Sequence, residues 1–307
     1  MSIVALSGGI GGAKLALGLS RVLSDETLTI IANTGDDFEH LGLSISPDID
    51  TLLYTLSDLA DRERGWGRRD ETWSFMAALR ALGGDDWFSL GDGDLATHLL
   101  RTQWLRDGAT LSEVTERLRL QLGITARIVP MSDARLRTQL RSDAGWLDFQ
   151  DYFVGQRCVP RIHEIRYAGA DAAVPSPAVL NALHDPALRG IVICPSNPLL
   201  SIDPLLALPE LRVALEQRRV PVIAVSPIIG GAAIKGPTAK LMQELGSEAS
   251  ASAVAQHYAG LIDHFLVDAA DAEAIMPRGV QAQVAPIVMK TLDDREALAR
   301  AVLALLA

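Results

Sequence analysis

A glycine-rich segment near the N-terminus has the residue types that bind phosphate. Ser7-Gly8-Gly9-Ile10-Gly11-Gly12-Ala13-Lys14 follows an apolar run and precedes a segment of helical periodicity, Lys14–Leu23. Glycines let the backbone approach a phosphate, and the start of a helix supplies unpaired amides and a partial positive charge. The segment fits neither the Gly-x-Gly-x-x-Gly fingerprint of dinucleotide-binding proteins nor a Walker A loop. It predicts phosphate binding, the alternative being a tight turn that packs a helix on a strand.

Four carboxylates within fifteen residues form a second candidate site: Asp36, Asp37, Asp48 and Asp50. They follow the second predicted strand, Thr27–Ala32, at the carboxyl edge of a parallel sheet, where ligands bind in such folds. Mg²⁺ takes carboxylate and phosphate oxygens together. The cluster therefore predicts a bound Mg²⁺, although Asp48, which precedes a helix, has the alternative of capping it.

Two later loops repeat these features. Cys194-Pro195-Ser196-Asn197-Pro198 follows a predicted strand and offers short polar side chains between prolines. Ser226–Pro237 contains Pro227, Gly230 and Lys235, and so combines glycines, exposed amides and one cation. Either loop alone reads equally well as a turn. Two of them after adjacent strands indicate a nucleotide cleft.

Aromatic residues precede an acidic turn in the segment Trp87–His98. An aspartate that caps a helix, a packed tryptophan and a structural histidine would explain this segment by the fold alone. Together with Met131–Asp133 and Phe149–Phe153, the segment predicts a pocket for a flat heterocycle.

The elements around these motifs predict an α/β protein with a doubly wound, Rossmann-like, mostly parallel sheet. Residues 1–57 and 170–307 are expected to form the nucleotide-binding core, with strands at Ser2–Leu6, Thr27–Ala32, Gly190–Cys194, Val220–Val225 and His264–Val267. Residues 58–169 are expected to be an inserted, mainly helical subdomain over the carboxyl edge of the sheet. Its clearest helices are Thr72–Ala81, Leu95–Arg106 and Thr110–Leu122, and a smaller sheet would contain Ile124–Val129 and Arg161–Tyr167.

The composition excludes several classes of protein. A net charge of −10 over 307 residues argues against a general nucleic-acid binder. The two cysteines, Cys158 and Cys194, are isolated, which argues against a disulfide framework or a zinc site. The N-terminus lacks the charged region of a signal peptide, and no apolar run is long enough for a membrane span. We therefore expect a cytoplasmic protein with no membrane or nucleic-acid partner.

The motifs together resemble the 2-phospho-L-lactate transferase family, which acts in the biosynthesis of the deazaflavin coenzyme F420. The resemblance covers nearly the whole chain, and the matching segments occur in family order: Ser7–Lys14, Asn33–Asp37, Ser46–Thr51, Leu90–Arg101, Pro130–Asp133, Phe149–Phe153, Cys194–Pro198 and Ser226–Pro237.

The resemblance implies a Mg²⁺-dependent transferase of substituted phosphate groups, and a homodimer. The ribityl hydroxyl of the deazaflavin Fo would attack the phosphorus that bears a three-carbon acid in a guanosine diphosphate-linked donor, releasing GMP. The acid stays open between phospholactate, phosphoenolpyruvate and phosphoglycerate derivatives. The candidates for its carboxylate are His163, Arg161 and Lys235.

By the same analogy the site residues fall into three groups. The metal and the catalytic role are placed on Asp37 and Asp50, with Asp36 and Asp48 as further metal ligands and Asp50 as a candidate base. The residues for the guanosine diphosphate moiety are Gly9, Gly11, Gly12, Lys14, Ser196, Asn197, Pro227, Gly230 and Lys235. The residues for Fo, under the inserted subdomain, are Trp87, Gly91, Asp92, Asp94 and His98.

Two other classes of function remain as alternatives. Related morphogenesis and gluconeogenesis-factor proteins share the glycine segment and the fold, so a non-catalytic nucleotide-sugar binder is one alternative. The Leu90–Arg101 and Phe149–Phe153 segments argue against it, because they resemble the transferase. An NAD-dependent dehydrogenase is disfavoured by the missing fingerprint and because Asp36 and Asp37 stand as a pair, where a lone ribose-binding acid is expected.

Overall fold

A seven-stranded parallel sheet forms the centre of the protein, in a computed structural model that describes residues 1–23, 27–234 and 236–306. The strands of the described residues are β1 (Ser2–Ser7), β2 (Thr27–Ala32), β3 (Phe38–His40), β4 (Leu43–Ile45), β5 (Arg127–Pro130), β6 (Arg137–Ser142), β7 (Gly145–Asp148), β8 (Ile162–Ala168), β9 (Leu188–Ile193), β10 (Val222–Val225), β11 (Ile228–Ile229), β12 (Ala232–Ala233), β13 (His264–Val267) and β14 (Gln281–Val284). The α-helices are α1 (Gly9–Val22), α2 (Pro47–Leu56), α3 (Ser74–Ala81), α4 (Asp92–Arg106), α5 (Leu111–Gln121), α6 (Pro177–Leu183), α7 (Asp203–Leu206), α8 (Pro209–Glu216), α9 (Thr238–Glu244), α10 (Ala251–His257) and α11 (Leu292–Ala304). Short π-helical turns lie at Asp151–Gly155 and Pro198–Ile202, and a 3₁₀ turn lies at Ala269–Asp271.

The order of the strands in the main sheet is β14-β13-β10-β9-β1-β2-β5, and each neighbouring pair is parallel. The chain starts at the central β1, moves outward through β2 and β5, and then returns to β9 on the other side of β1. The strand order therefore reverses between β1 and β9, which opens a crevice at their carboxyl ends. This topology confirms the predicted doubly wound α/β fold.

Alternate side chains of the central strands face two helical layers, as the pleat of a strand requires. Val4 and Leu6 of β1 pack with α8 and α10 in one core cluster, which includes Leu211, Leu215 and Val254. Ile3 and Ala5 pack on the opposite face with α1 and α11, in a cluster that includes Leu15, Leu19 and Leu298. Burial on both faces explains why β1 reads as a continuous apolar run.

The region between residues 58 and 169 differs in part from the prediction. The strand expected at Ile124–Val129 belongs to the main sheet, where β5 pairs with β2, so its assignment to a smaller sheet was wrong. Its buried Ile128 and Val129 fit a sheet covered on both faces. The second expected strand was right, because β8 lies in a three-stranded antiparallel sheet of order β7-β6-β8. A strand of the main sheet thus interrupts the segment predicted as an insertion.

No helix within the described ranges is both long enough and apolar enough to cross a membrane.

Candidate functional site

The glycine-rich segment forms the start of helix α1, which begins at Gly9. A Cβ at Gly11 would lie 2.2 Å from the carbonyl oxygen of Pro195, and one at Gly12 would lie 2.4 Å from Ser7 Oγ. Glycine at these positions therefore lets α1 approach the loop after β9. Close packing, which the sequence left as the alternative, is a property of this segment, and phosphate binding at Gly9, Gly11 and Gly12 stays a prediction.

The loop after β9 closes directly on the start of α1. Ser196 Oγ donates to the carbonyl of Gly8 at 2.8 Å, and the Gly8 amide donates back to this hydroxyl at 3.3 Å. Asn197 Oδ1 caps the π-helical turn by accepting from the amides of Leu199 and Leu200. The predicted residues Ser196 and Asn197 therefore lie at the crevice between β1 and β9.

Asp48 joins three segments of this crevice. One carboxylate oxygen accepts from the Gly9 amide at 2.6 Å, and the other accepts from Asn33 Nδ2 at 2.9 Å. Burial raises the pKa of Asp48 to about 6, and these two hydrogen bonds oppose the rise. The side chain does cap a helix, as the alternative proposed, but the helix is α1, whose positive end favours a carboxylate.

Asp36 and Asp37 are buried, and each has one oxygen, Oδ1, without a hydrogen-bond partner among the described residues. Burial raises the pKa of Asp37 to about 7, against the lowering effect of Arg137 and of a 2.8 Å hydrogen bond from Ser46 Oγ. Burial, and then the charge of Asp48, raise the pKa of Asp36 well above its usual value. We call these two residues the Asp36–Asp37 pair.

Asp50 lies in a different environment, where it contacts other polar side chains of α2 and α4. We call the group the Arg101 cluster, and its five members are Asp50, Tyr54, Asp94, His98 and Arg101. Both oxygens of Asp50 accept from the guanidinium of Arg101, which is fully buried. His98 lies between the two acids, with Nε2 3.2 Å from Asp94 and Nδ1 3.7 Å from Asp50. Tyr54 donates its hydroxyl to Asp94 at 2.5 Å.

Sequence reasoning missed Arg101 and Tyr54 as members of this cluster. The available signal was the helical spacing of Asp94, His98 and Arg101, which places them on one face of α4. Their partners on α2 are set by the tertiary fold, so the spacing alone does not identify them.

Buried polar atoms without partners gather around the crevice. Besides the Asp36–Asp37 pair, among the described residues they include Ser7 Oγ, Thr34 Oγ1, Thr138 Oγ1 and Asn197 Nδ2. A buried polar group without a hydrogen bond costs about 1–3 kcal/mol, so natural proteins keep few of them. Other atoms of this kind lie away from the crevice, such as Thr115 Oγ1 and Tyr258 Oη. A polar ligand with several donors and acceptors would satisfy those at the carboxyl ends of β1, β2 and β9.

Only some of the four predicted carboxylates have oxygens available for a divalent cation. Within the described ranges, no group of three or more His, Cys, Asp or Glu side chains is arranged to hold a metal ion. Mg²⁺ commonly takes one or two carboxylates and completes its shell with phosphate oxygens and water. The Asp36–Asp37 pair offers unpartnered oxygens for this purpose, whereas the oxygens of Asp48 and Asp50 are already hydrogen-bonded.

The predicted Fo residues lie in two places. Trp87 packs in an aromatic group with Phe38, His40 and Phe88, with ring centroids 5.1 Å apart for Trp87 and His40. Asp94 and His98 belong to the Arg101 cluster, and Gly91 is the residue that precedes α4. Asp92 accepts from Thr72 Oγ1 at 2.6 Å and from the Phe75 amide at 3.0 Å, so its carboxylate caps α3.

The remaining predicted residues are spread more widely. Lys14 donates to the carbonyl of Met289 at 2.9 Å and lines a cavity of about 340 Å³ between α1, α2 and residues 58–67. Pro227 leads into the β11–β12 hairpin, where the Gly230 amide donates to Asp271 at 2.9 Å. Lys235 lies outside the described residues.

The other two candidates for the carboxylate of the acid are exposed. Arg161 lies at the surface, and His163 Nε2 pairs there with Asp143 at 2.6 Å.

Comparisons with known proteins cover nearly the full chain. The family model described as 2-phospho-L-lactate transferase CofD matches residues 3–304. A phosphoenolpyruvate transferase of Streptomyces griseus is 42% identical over 316 residues, covering 99% of this chain and 98% of the relative. A 2-phospho-L-lactate transferase of Methanosarcina mazei is 39% identical over 303 residues, covering 98% of this chain and 99% of the relative.

A crystal structure of a UPF0052 family member from Bacillus halodurans superposes with a TM-score of 0.64 over 98% of this chain and 99% of that one. The two sequences are 17% identical, so this likeness concerns the fold alone.

Proposed function

Since the chain belongs to the 2-phospho-L-lactate transferase CofD family, as the resemblance predicted, we propose that it transfers a phosphorylated three-carbon acid to the deazaflavin Fo in coenzyme F420 biosynthesis. The donor is the guanosine diphosphate-linked acid. The ribityl hydroxyl of Fo forms a bond to the phosphorus that bears the acid, the bond from that phosphorus to the bridging oxygen breaks, and GMP leaves as the hydroxyl loses its proton.

One observation carries this proposal beyond the family match: unpartnered buried polar atoms surround the crevice between β1 and β9. The donor brings phosphate oxygens and a base, which can satisfy such atoms. Asn197 Nδ2 is available as a donor at this crevice, whereas the amides of Gly8 and Gly9 at the start of α1 already donate to Ser196 and Asp48. Asn197 would bind and orient the diphosphate.

Phosphoryl transfer depends on positioning and charge neutralisation more than on covalent catalysis. Asp36 and Asp37 would hold Mg²⁺, which supplies positive charge to the phosphate oxygens when it is bound. Ser46 orients Asp37 through its hydroxyl, and Asn33 orients Asp48 through its amide. Asp50 is best understood as a residue that positions Arg101 and α4, because its carboxylate is committed to the guanidinium.

The aromatic group offers a surface for the deazaflavin ring. Trp87 is half-buried, and the π-helical turn at Gly155 lies close to its ring, where a Cβ would be 3.6 Å from Trp87 Cε3. Flat heterocycles bind in pockets lined by aromatic side chains with few polar groups. We therefore propose that the ring of Fo binds at Trp87.

The proposal is tested by product analysis. Purified protein is incubated with Fo, GTP, Mg²⁺, a guanylyltransferase and, in separate reactions, phospholactate, phosphoenolpyruvate or phosphoglycerate, and the products are identified by mass spectrometry. We expect GMP and an Fo adduct with at least one acid, and the acid is identified by the reaction that gives it. Absence of an adduct in every reaction, with binding of a uridine diphosphate sugar, would instead support a nucleotide-sugar binder.

A further inference from the structure

Two arginines, Arg137 and Arg101, lie near the loop that carries Asp37, and their surroundings differ. Arg101 is fully buried, and its guanidinium is occupied by Asp50. Arg137 is half-buried, and within the described ranges it forms no ion pair with a carboxylate inside 4 Å. Its guanidinium donates a hydrogen bond to the carbonyl of its neighbour Leu136, at 2.8 Å.

The backbone of Arg137 lies beside the loop that carries Asp37, because β6 docks on that loop at the next residue, Thr138. The amide of Thr138 donates to the carbonyl of Gly35 at 2.7 Å. A Cβ at Gly35 would lie 2.6 Å from Thr138 Oγ1, so only glycine permits this approach. The backbone of Arg137, next to Thr138, is therefore held within a few residues of Asp37, a distance that an arginine side chain can span.

Burial lowers the pKa of the Arg137 guanidinium, and Asp37, Asp148 and Glu39 oppose this while Arg135 adds to it. Glu39 is on β3, which follows the loop that carries Asp37, and Asp148 is on β7, which pairs with β6 in the three-stranded sheet. A partly desolvated arginine without a bound carboxylate is the arrangement that binds one from a ligand, since its planar fork matches both oxygens.

From this geometry we infer that Arg137 binds the carboxylate of the three-carbon acid in the donor, an assignment that rests on the proposed function. The phosphorus that bears the acid must lie near the Asp36–Asp37 pair, which places the carboxylate of the acid within reach of the neighbouring guanidinium. Arg137 thus replaces the exposed Arg161 and the surface-paired His163 as the residue that recognises the acid.

The test compares binding of two ligands to the full-length protein by calorimetry without Fo, so that no transfer occurs. The ligands are guanosine diphosphate-linked phospholactate and its uncharged carboxamide. A charged hydrogen-bonded pair contributes about 1.5–3 kcal/mol, so wild-type protein should bind the acid roughly 10- to 100-fold more tightly than the amide. Arg137→Gln should remove this preference and leave the affinity for the amide and for GDP unchanged, and Arg137→Lys should retain part of it.

The matched control is Arg141→Gln, the same substitution on the same strand at an exposed arginine that pairs with Glu164. This variant should bind all three ligands as wild type does. The assignment is overturned if wild-type protein does not distinguish acid from amide, or if Arg137→Gln keeps the preference. Because the ratio of the two affinities is the readout, a fraction of unfolded protein does not change it. Failure of wild-type protein to bind GDP would instead overturn the proposed function itself.

Discussion

Two sets of buried carboxylates lie near the crevice, and they differ in their partners. Asp50 and Asp94 of the Arg101 cluster are paired with an arginine, a histidine and a tyrosine. The Asp36–Asp37 pair keeps an unpartnered oxygen on each side chain, and burial raises the pKa of both. The contrast concerns the carboxylates, since Arg101 Nε and His98 Nε2 also have no hydrogen-bond partner among the described residues. A buried carboxylate that is paired holds structure, whereas one with an unpartnered oxygen costs stability and is retained where a ligand completes it.

The Arg101 cluster should show the largest effect on stability. Arg101→Leu leaves the buried Asp50 without its counter-ion, and we expect a loss of about 3–5 kcal/mol in the free energy of unfolding. Urea denaturation measures it. Arg141→Leu, at an exposed ion pair, should cost less than about 1 kcal/mol. Equal losses in the two variants would show that the Arg101 cluster does not hold the fold.

Substitution in the Asp36–Asp37 pair should have the opposite effect on stability, and it should also lower activity. Asp37→Asn should reduce transfer at least about 100-fold, since it removes a proposed metal ligand, and should raise the stability of the metal-free protein on the order of 2 kcal/mol at pH 8. The pKa of Asp37 is raised to about 7 in the folded protein, so its ionisation costs stability fully above pH 7 and not at all below its unfolded value near 3.8.

The gain from Asp37→Asn should therefore shrink as the pH falls from 8 to 5, which thermal melting in the absence of Mg²⁺ measures. Asp50→Asn is the matched control, and it should lower the melting temperature at both pH values because Arg101 loses its partner. A lower melting temperature for Asp37→Asn at pH 8 would contradict the distinction between the two sets of carboxylates.

A smaller effect is expected at the pair of His257 and Asp203, whose nitrogen and oxygen are 2.7 Å apart. The hydrogen bond to Asp203 raises the pKa of His257, so this pair stabilises the protein below pH 6.5 and loses its effect as the pH rises through the folded pKa. His257→Gln should lower the melting temperature by roughly 1–2 °C at pH 5.5 and by less at pH 9. A decrease in melting temperature that is larger at pH 9 than at pH 5.5 would contradict this pH dependence.

Much of the fold was predictable because its signals are local. The apolar runs of β1, β2, β9 and β13 and the capping box at Thr110 and Glu113 each reflect contacts close in sequence. The edge strand β14 was not predicted, since it is only four residues long, all of them exposed, and its alternation of glutamine with Ala282 and Val284 is too short to indicate a strand. The pairing of β5 depends on β2, nearly a hundred residues earlier, and its local sequence did not identify the sheet that it joins.

The sequence predicted where the candidate site lies, but it did not predict which side chain pairs with which. Glycine, serine and aspartate after successive strands located the crevice because the topology brings the carboxyl ends of parallel strands together. The sequence does not show that Arg101 pairs with Asp50 or that Asp92 caps α3, because these partners come from other helices. The division of one acidic motif into paired and unpaired carboxylates is a consequence of tertiary structure.

The most direct test of this division is Mn²⁺ binding, used as a paramagnetic substitute for Mg²⁺, measured by electron paramagnetic resonance in the presence of GDP. We expect tight Mn²⁺ binding to wild-type protein, loss of at least about tenfold in affinity for Asp37→Asn, and little change for folded Asp50→Asn. Loss of Mn²⁺ binding in Asp50→Asn together with wild-type binding in Asp37→Asn would contradict the account.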